Sequence, residues 1–430
     1  ATLSPAKLHA MNPAAPARIA IVGSGIAGAG CAWLLSRRHQ ITVYEADARF
    51  GGHTDTHELQ LEGRHYAVDT GFIVFNDQHY PLLTRLFNEL GVTSQPTVMS
   101  FGVRHEGSGL EYNATDLDRL FVQRRNLLRP RFLRMVYDIT RFYREAPALL
   151  NSSGPGPKLG DYLAEHGYGE GFVRDHLIPM TSALWSSPSA RVLDFPTRYL
   201  VQFMANHQML SLGERHPWRV VTGGSSRYHE KLRAATRADW RMATPVTAVR
   251  RDADGVTVVT PAGETRHDHI VFACHSDQAL TILGTTATPA ERAILGAIRY
   301  QANETVLHTD GSIMPRDRRA WASWIGHIPA TAGADCTVSY YMNLLQGIDS
   351  PTDFIVSLNM TRRIDPDKIL RKRQYHHPVY TPESVAAQAR HAEINGQQRS
   401  WYAGAYWGWG FHEDGLRSAV RVAEGLGVNW

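Results

Sequence analysis

Three glycines near the start of the chain are spaced to hold a phosphate group. Gly23, Gly25 and Gly28 form the pattern GxGxxG in "RIAIVGSGIAGAGCAWLL", between an apolar run typical of a buried strand and a run with a helical apolar face. The first glycine permits a tight turn, the second lets backbone approach a pyrophosphate, and the third lets the helix pack on the strand. Ile26 and Ala27 would open the helix, where unbonded N–H groups and the helix dipole favour an anion. The stretch therefore predicts a dinucleotide site.

A carboxylate and a second glycine turn follow the next predicted strand, "ITVYE". Glu45 ends this strand about 20 residues after the first glycine, where an acid commonly binds ribose hydroxyls. Further candidates in "EADARFGGHT" are Ala46, Arg49, Gly51, Gly52 and His53. The strand in "GRHYAVDTGFIVF" then leads to Thr70, Gly71 and Phe72. A domain that binds only NAD has no use for these additions, so they favour FAD.

The stretch "YAGAYWGWGFHEDG" is unusual because nine of its fourteen residues are glycine or aromatic. Such rings can hold an apolar chain by packing or a cation through their faces. The candidate substrate-pocket rings are Trp185, Tyr340, Tyr341 and Trp409. The candidate catalytic residues are Tyr406, Trp407 and His412, since an unperturbed histidine has a pKa of about 6.5 and can carry a proton. Glu413 or Asp414 could bind an amine, or "HED" could instead cap the last helix.

These motifs resemble the FAD-dependent amine oxidase and phytoene desaturase superfamily, in which Glu-(x)3-Arg-x-Gly-Gly follows the first glycine turn. The resemblance implies that the C-terminal motif reaches the flavin ring system. Its residues here are Gly404, Ala405, Gly415 and Leu416. The resemblance also implies that the backbone of Val246 contacts the adenine. An arginine and an acid that these enzymes usually carry are replaced here by His53 and Ala405. Nothing matches the cysteine that attaches flavin covalently in some amine oxidases, so the resemblance implies noncovalent FAD.

Four segments, "GGHT", "VDTGFIVFN", "CHSDQAL" and "GAYWGWGFHEDGL", resemble more narrowly a group of bacterial NAD/FAD-binding oxidoreductases. That group is often found with cyclopropane-fatty-acyl-phospholipid synthases, and the resemblance extends from about Arg18 to Gly427. One interpretation is therefore an FAD-dependent oxidoreductase that oxidises or desaturates a lipid acyl chain, a modified phospholipid fatty acid. A second is an FAD-dependent amine oxidase, although the strand "YQANETVLHTD" lacks the lysine that such oxidases carry. A third is a flavin-bearing accessory protein that binds lipid, or a fatty-acid-modifying enzyme partner, without redox turnover.

The order of the motifs predicts an α/β fold in which a Rossmann-type FAD-binding domain of the amine oxidase kind is interleaved with a substrate domain. Residues 1–15 are expected to be a disordered or foreign N-terminal tail. The pieces of the FAD-binding domain are expected at 16–75, 215–290 and 395–430. The substrate domain, an antiparallel sheet with helices, is expected at 76–214 and 291–394.

An arginine-rich segment, residues 116–150, interleaves cations with Leu, Phe, Met and Tyr at roughly helical spacing. Its arginines are Arg119, Arg124, Arg125, Arg129, Arg131, Arg134, Arg141 and Arg144. A basic amphipathic segment suits an anionic membrane surface. The alternative is an ordinary helical pair with solvated arginines and an apolar side that faces the core.

Composition narrows the remaining classes of function. The net charge of +4 is too small to indicate nucleic-acid binding. The three cysteines lack CxxC spacing and the 21 histidines follow no metal-binding pattern, so we predict neither a disulfide framework nor a metal site. No apolar run is long enough to cross a membrane, and the first ten residues do not resemble a signal peptide. We expect a cytoplasmic protein with a small-molecule or lipid substrate, peripheral at the inner membrane surface if 116–150 binds lipid.

Overall fold

The chain has a mixed α/β fold, as the sequence predicts. A computed structural model describes residues 15–152, 156–185, 192–206, 209–210, 217–331 and 334–430, without the side chains of residues 184, 185 and 206. The chain divides into two compact units, each assembled from segments that are distant in sequence. Unit 1 comprises Ala1–Gly52, His229–Gly296 and Gln388–Trp430, and unit 2 comprises His53–Tyr228 and Ala297–Ala387.

The described strands and helices are numbered here in chain order. The strands are β1 (Arg18–Val22), β2 (Gln40–Tyr44), β3 (Thr56–Leu61), β4 (Arg64–Asp69), β5 (Val74–Phe75), β6 (Ser94–Thr97), β7 (Phe101–His105), β8 (Leu110–Asn113), β9 (Trp218–Val221), β10 (Ala238–Arg241), β11 (Ala248–Arg251), β12 (Val256–Thr260), β13 (Gly263–His267), β14 (His269–Phe272), β15 (Arg299–His308), β16 (Trp324–Ile328), β17 (Thr337–Tyr341), β18 (Ile355–Leu358), β19 (Ile369–Val379) and β20 (Ser400–Tyr402). The α-helices are α1 (Ile26–Leu35), α2 (Pro81–Leu90), α3 (Leu117–Leu120), α4 (Pro130–Glu145), α5 (Leu159–Glu165), α6 (Glu170–Phe172), α7 (Ile178–Trp185), α8 (Thr197–Asn206), α9 (Ser226–Ala234), α10 (Ser276–Leu283), α11 (Pro289–Gly296), α12 (Met342–Leu345), α13 (Pro382–Gln388) and α14 (His412–Gly425).

Unit 1 is built on a five-stranded sheet with the order β10-β2-β1-β14-β20, in which the described pairings are all parallel. Four of the five residues of β1 are buried, which explains its continuous apolar sequence, because a strand in a parallel sheet is covered on both faces. α1 packs closely against α14, since a Cβ at Gly30 would lie 2.9 Å from Cδ1 of Leu416. The antiparallel strands β11, β12 and β13 form a separate meander.

Unit 2 contains a seven-stranded sheet with the order β19-β15-β18-β17-β16-β7-β8. Its described pairings are antiparallel except that β16 runs parallel to β7. The side chains on one face of this sheet belong to an apolar cluster that includes Leu307 and Val356. The other face packs a cluster that includes Val306, Ile325 and Ile355. Because successive side chains of a strand point to opposite faces, both faces of this sheet are covered by core.

A row of buried polar side chains crosses four neighbouring strands of this sheet. Nε2 of His308 lies 2.8 Å from Oγ of Ser357, which lies 2.6 Å from Oγ of Ser339, and that hydroxyl lies 2.8 Å from Nε2 of His327. Burial lowers the pKa of His308 to about 4 and that of His327 to about 3, so both rings are neutral near pH 7. These hydrogen bonds fix the register of β15, β18, β17 and β16 relative to one another, and none of the groups that form them is charged near pH 7.

The boundaries of the two units differ from the domain boundaries expected from the sequence. Unit 1 ends at Gly52 rather than residue 75, resumes at His229 rather than 215 and extends to Gly296, and its last piece begins at Gln388. The reason is long-range pairing, because β5 and β6 both pair with β9 and hold the chain around residues 74–97 in unit 2. Asp69 acts in the same way, since its carboxylate accepts hydrogen bonds from the Ser225 N–H.

Candidate functional site

The first glycine turn, between β1 and α1, depends on the absence of side chains. Gly23 has φ +102°, a conformation that other residues rarely adopt, and a Cβ there would lie 2.9 Å from the carbonyl oxygen of Ala273. A Cβ at Gly28 would lie 1.9 Å from the carbonyl oxygen of Gly23. Both glycines are therefore required for α1 to start this close to its strand.

The N-terminal end of α1 is suited to an anion. Its N-cap residue, Gly25, supplies no side-chain cap, and the first turn holds no acidic residue. The first helical bond runs from the Ala29 N–H to the Gly25 carbonyl oxygen (2.8 Å). The N–H groups before it, those of Ile26 and Ala27 among them, have no acceptor inside the helix. These donors and the helix dipole favour a phosphate at this position.

A second glycine turn packs against the first. Gly52 has φ +60°, and a Cβ there would lie 3.1 Å from Cα of Gly25, so two bare backbones meet. The Gly51 N–H donates to Oγ of Ser24 (3.1 Å), and Nη2 of Arg49 donates to the Gly52 carbonyl oxygen (2.6 Å). The two turns therefore approach each other closely, and the Ser24 hydroxyl links them.

Glu45 is oriented by the first turn. Its Oε2 accepts from the Ser24 N–H (3.0 Å) and from Oγ of Ser24 (2.5 Å), and its Oε1 accepts from the Asp47 N–H (2.9 Å). A carboxylate has about four acceptor sites, so Oε1 keeps one for a ribose hydroxyl. Ala46 is exposed beside it, and Val246 is buried in the loop before β11.

A residue that sequence reasoning missed, His229 on α9, holds the first turn in place. Its Nε2 lies 2.7 Å from the carbonyl oxygen of Ser24, so the proton is on Nε2. Burial lowers the pKa of His229 to about 4, which keeps the ring neutral near pH 7. The segment "VVTGGSSRYHEKL" forms β9, a turn and α9, and nothing in the spacing of its residues marks this histidine.

The C-terminal loop contains two of the predicted catalytic rings, Tyr406 and Trp407, which are both buried. A Cβ at Gly404 would lie 2.2 Å from Cε1 of Tyr406, so the ring folds back over a bare backbone. Ala405 opens the 3-10 turn that carries both rings. Nε2 of Gln388 donates to the carbonyl oxygens of Tyr406 (2.8 Å) and Gly408 (2.6 Å), which fixes the turn.

The start of α14 adjoins the start of α1, since a Cβ at Gly415 would lie 2.8 Å from Cγ2 of Ile26, and Leu416 beside it is fully buried. Asp414 acts as the helix cap, because its Oδ2 accepts from the N–H groups of Trp409 and Phe411 (3.1 Å each). Of the two roles that the sequence leaves open for "HED", amine binding or helix capping, the structure shows the capping role.

His412 does not fit the expected role of proton carrier. The ring is buried, and burial, followed by the charge of nearby His229, lowers the pKa of His412 to about 3. A histidine with this pKa remains neutral at pH 7 and gives up no proton in that range. The expectation rested on the pKa of a solvated ring, and the position at the first turn of a packed helix removes the solvent.

The remaining predicted cofactor residues come together in unit 2. The Phe72 N–H donates to the carbonyl oxygen of His53 (2.7 Å), and a Cβ at Gly71 would lie 1.9 Å from the same oxygen. Oγ1 of Thr70 lies 2.9 Å from the hydroxyl of Tyr375, whose ring stacks on the His53 ring with centroids 4.9 Å apart. Tyr375 in turn donates to Oδ2 of the buried Asp55 (3.0 Å).

His377 extends this polar cluster, and its tautomer is fixed by two asparagines. The Glu304 N–H donates to Oδ1 of Asn359 (2.9 Å), so Nδ2 of Asn359 donates to Oδ1 of Asn303 (2.7 Å). The amide nitrogen of Asn303 then donates to Nδ1 of His377 (2.8 Å), which leaves the ring proton on Nε2. The His377 ring centroid lies 5.3 Å from that of His53.

Two of the other predicted pocket rings, Tyr340 and Tyr341, do not lie on one face of the sheet. Tyr340 and Tyr341 are consecutive residues of β17, so they point to opposite faces of the sheet. Tyr340 packs on the ring of Trp324, whereas Tyr341 packs on the ring of Trp321 and donates its hydroxyl to Asp353 (2.8 Å). Trp185 ends α7, but its side chain lies outside the described residues.

The parallel sheet, the paired glycine turns and the acid after the second strand define the class of a dinucleotide-binding oxidoreductase. Residues 26–328 match the family described as flavin containing amine oxidoreductase, which is more than half of the chain, so the chain belongs to that family. No curated protein matches the sequence.

Solved structures share this fold over nearly the whole chain at low sequence identity. A CLA-producing fatty acid isomerase from P. acnes is 15% identical, with a TM-score of 0.68 and coverage of 96% of this chain and 99% of that one. Cyclohexylamine oxidase from Brevibacterium oxydans IH-35A is 16% identical, with a TM-score of 0.66 and coverage of 96% and 100%. A putrescine oxidase bound to putrescine is 12% identical, with a TM-score of 0.65 and coverage of 96% and 99%.

Proposed function

We propose that the protein binds FAD noncovalently and uses it to oxidise or desaturate the acyl chain of a lipid. Three features of unit 1 support FAD: the uncapped start of α1, the two packed glycine turns, and Glu45 with one acceptor site left. FMN would leave Glu45 without a ribose, because FMN lacks the adenosine. When bound, the flavin supplies the site that accepts two electrons and hydrogen from the substrate.

Noncovalent attachment is supported by the positions of the cysteines. The C-terminal loop, residues 402–415, contains no cysteine. Cys31 is buried within α1, where burial raises the pKa of its thiol far above the usual range. A thiol in that state is a poor nucleophile.

The observation that carries the choice of an acyl chain is that both carboxylates of the C-terminal loop are engaged by protein groups. Asp414 caps α14 and pairs with Arg417 (2.9 Å), and Glu413 lies 3.7 Å from the same guanidinium. A site for an ammonium substrate usually adds such a carboxylate to the aromatic rings that face the cation. Binding an acyl chain needs apolar rings, which Tyr406 and Trp407 supply.

The identity of the cofactor is tested by Glu45→Ala. Loss of a charge-assisted hydrogen bond to the ribose should weaken FAD binding by roughly tenfold to a hundredfold, while FMN affinity stays the same. Dissociation constants for FAD and FMN can be measured on apoprotein by quenching of flavin fluorescence. Asp47→Ala is the matched control, since it removes the neighbouring exposed carboxylate but keeps the N–H that Glu45 accepts. Equal loss of both flavins, or no loss, would show that Glu45 does not bind the adenosine.

The substrate class is tested by anaerobic incubation of the flavin-loaded protein with phospholipid dispersions and with primary amines. We expect phospholipids to bleach the visible flavin absorption and amines to leave it unchanged. Bleaching by amines alone would establish an amine oxidase. Bleaching by neither class would favour an accessory protein.

A further inference from the structure

Exposed apolar side chains are concentrated in one stretch of unit 2. In the described chain, seven large hydrophobic side chains are at least 44% exposed, and five of them lie within 21 residues. These five are Leu117, Leu127, Leu128, Leu133 and Tyr137. A single exposed leucine needs no explanation, but a concentration of this kind marks a surface that binds something.

The stretch is not the continuous helix that its spacing suggests. It forms α3, a 3-10 turn at Arg124–Leu128 and then α4. The rings of Phe121 and Phe132 meet edge to face, with centroids 5.3 Å apart, and tie the end of α3 to the start of α4. Leu128 lies at the end of the 3-10 turn and is 86% exposed.

Helix α4 carries apolar residues on the face opposite its core. Phe132, Met135 and Phe142 are buried on one side. At 100° per residue, Leu133 and Tyr137 lie on the other side, one turn apart. A surface helix of a globular protein carries polar residues on that side. The outward face of α4 therefore lacks the composition of an ordinary solvated face.

Three arginines of the segment serve the fold of unit 2. Arg134 lies 2.9 Å and Arg141 3.9 Å from the fully buried carboxylate of Asp138. Arg131 lies 3.0 Å from the carboxylate of Asp175. These arginines neutralise carboxylates that are buried in the fold, so their charges are needed for the structure of unit 2.

The arginines around Leu127 and Leu128 are different. Arg124, Arg125 and Arg129 are all exposed. Arg124 pairs with the exposed Asp118. Within the described residues, Arg125 and Arg129 have no carboxylate within ion-pair distance. The apolar–arginine patch is defined here as Leu127, Leu128, Leu133, Tyr137, Arg124, Arg125 and Arg129.

We propose that the apolar–arginine patch docks on the surface of an anionic lipid bilayer. The leucines and the tyrosine would enter the boundary between headgroups and acyl chains, and the arginines would lie at the level of the phosphates. A second copy of the chain suits the patch less, because a twofold contact would bring the same arginines face to face. The described part of the chain has no helix long and apolar enough to cross a membrane, which agrees with docking on the surface. The proposal does not depend on the identity of the substrate.

The test is sedimentation of the flavin-loaded protein with vesicles of phosphatidylglycerol and phosphatidylcholine, compared with phosphatidylcholine alone. We expect binding to the anionic vesicles that weakens as salt rises, because salt screens the arginines. Exchanging Arg124, Arg125 and Arg129 for Gln should weaken this binding roughly a hundredfold, since each cation near the headgroups contributes about one kcal/mol. Exchanging Leu127, Leu128 and Leu133 for Ser should weaken it at least about tenfold, including at high salt.

Matched controls separate docking from a general effect of charge or surface hydrophobicity. Exchanging the exposed Arg237, Arg362 and Arg371 for Gln removes the same net charge elsewhere and should leave binding nearly unchanged. Val98→Ser with Met242→Ser removes the two large exposed hydrophobic side chains that the described chain has outside residues 117–137, and should also have little effect. Flavin content, which should stay constant in every variant, shows that the variants fold. The proposal is overturned if wild type ignores anionic vesicles at low salt, if both arginine triples weaken binding equally, or if the patch instead proves to hold two copies together in solution.

Discussion

Gly28→Ala should weaken flavin binding at least a hundredfold, which is a loss of about 3 kcal/mol of binding free energy. It should also lower the stability of the fold. The added Cβ would lie 1.9 Å from the carbonyl oxygen of Gly23 and 3.2 Å from Cβ of Ala273, and the backbone fixes its position, so no side-chain rotation can relieve the overlap. The start of α1 must therefore move away from β1, which displaces the N–H groups that we propose to bind the phosphates of the cofactor. Flavin stoichiometry after purification and the affinity of the apoprotein for added FAD measure the effect.

A control for this substitution is Gly296→Ala in the same unit. Gly296 ends α11, and a Cβ there would make only an ordinary 3.7 Å contact with Leu280. Its flavin content should equal that of the wild type. Full flavin occupancy in Gly28→Ala would mean that the turn tolerates a shift we consider too costly, and the nucleotide site would have to be sought elsewhere.

Arg251→Met should lower the free energy of unfolding by about 3–5 kcal/mol, the largest effect we expect on stability. Nη1 and Nη2 of Arg251 hold the two carboxylate oxygens of the buried Glu291 at 2.6 and 3.1 Å. Burial alone would raise the pKa of Glu291, but hydrogen bonds from Arg251, Tyr402 and the Thr288 N–H lower it below its usual value. Without the guanidinium, a buried charge would remain with two neutral donors.

Urea denaturation followed by circular dichroism measures this loss. Arg250→Met is the matched control, because the neighbouring Arg250 pairs with Glu264 on the surface, where solvent screens the pair, and should change stability little. Adding Glu291→Leu to Arg251→Met should recover most of the loss, since it removes the buried charge. If the single variant is as stable as the wild type, the ion pair contributes nothing net.

A structural feature can be predicted from the sequence when the residues that form it lie close together in the chain. The glycine turns and Glu45 could be found because each requirement is met within a few residues of chain. The division of the chain at Gly52 could not, because it depends on β9 pairing with strands more than 120 residues earlier. The opposite faces of Tyr340 and Tyr341 follow from the alternation of any strand and could have been predicted.

Burial was the other source of error. His412 was assigned a proton-carrying role from the pKa of a solvated ring, which its buried position does not allow. Nothing local separates His229, which holds the glycine turn, from the other histidines of the chain. Likewise, the sequence gives no sign that three arginines of the segment pair with buried carboxylates, and its spacing suggests solvated side chains instead. These arginines are Arg131, Arg134 and Arg141.

The packing of α1 against α14 has a consequence for biosynthesis. All ten residues of α1 are buried, and part of that cover comes from a helix that begins almost 400 residues later. Ribosomes add about 5–20 residues per second, so the nascent α1 waits roughly 20–80 s for its partner. During that interval an apolar helix and an open strand edge are exposed, which makes the growing chain a natural client of chaperones. Heterologous expression should therefore improve at lower temperature, with flavin supplied after synthesis.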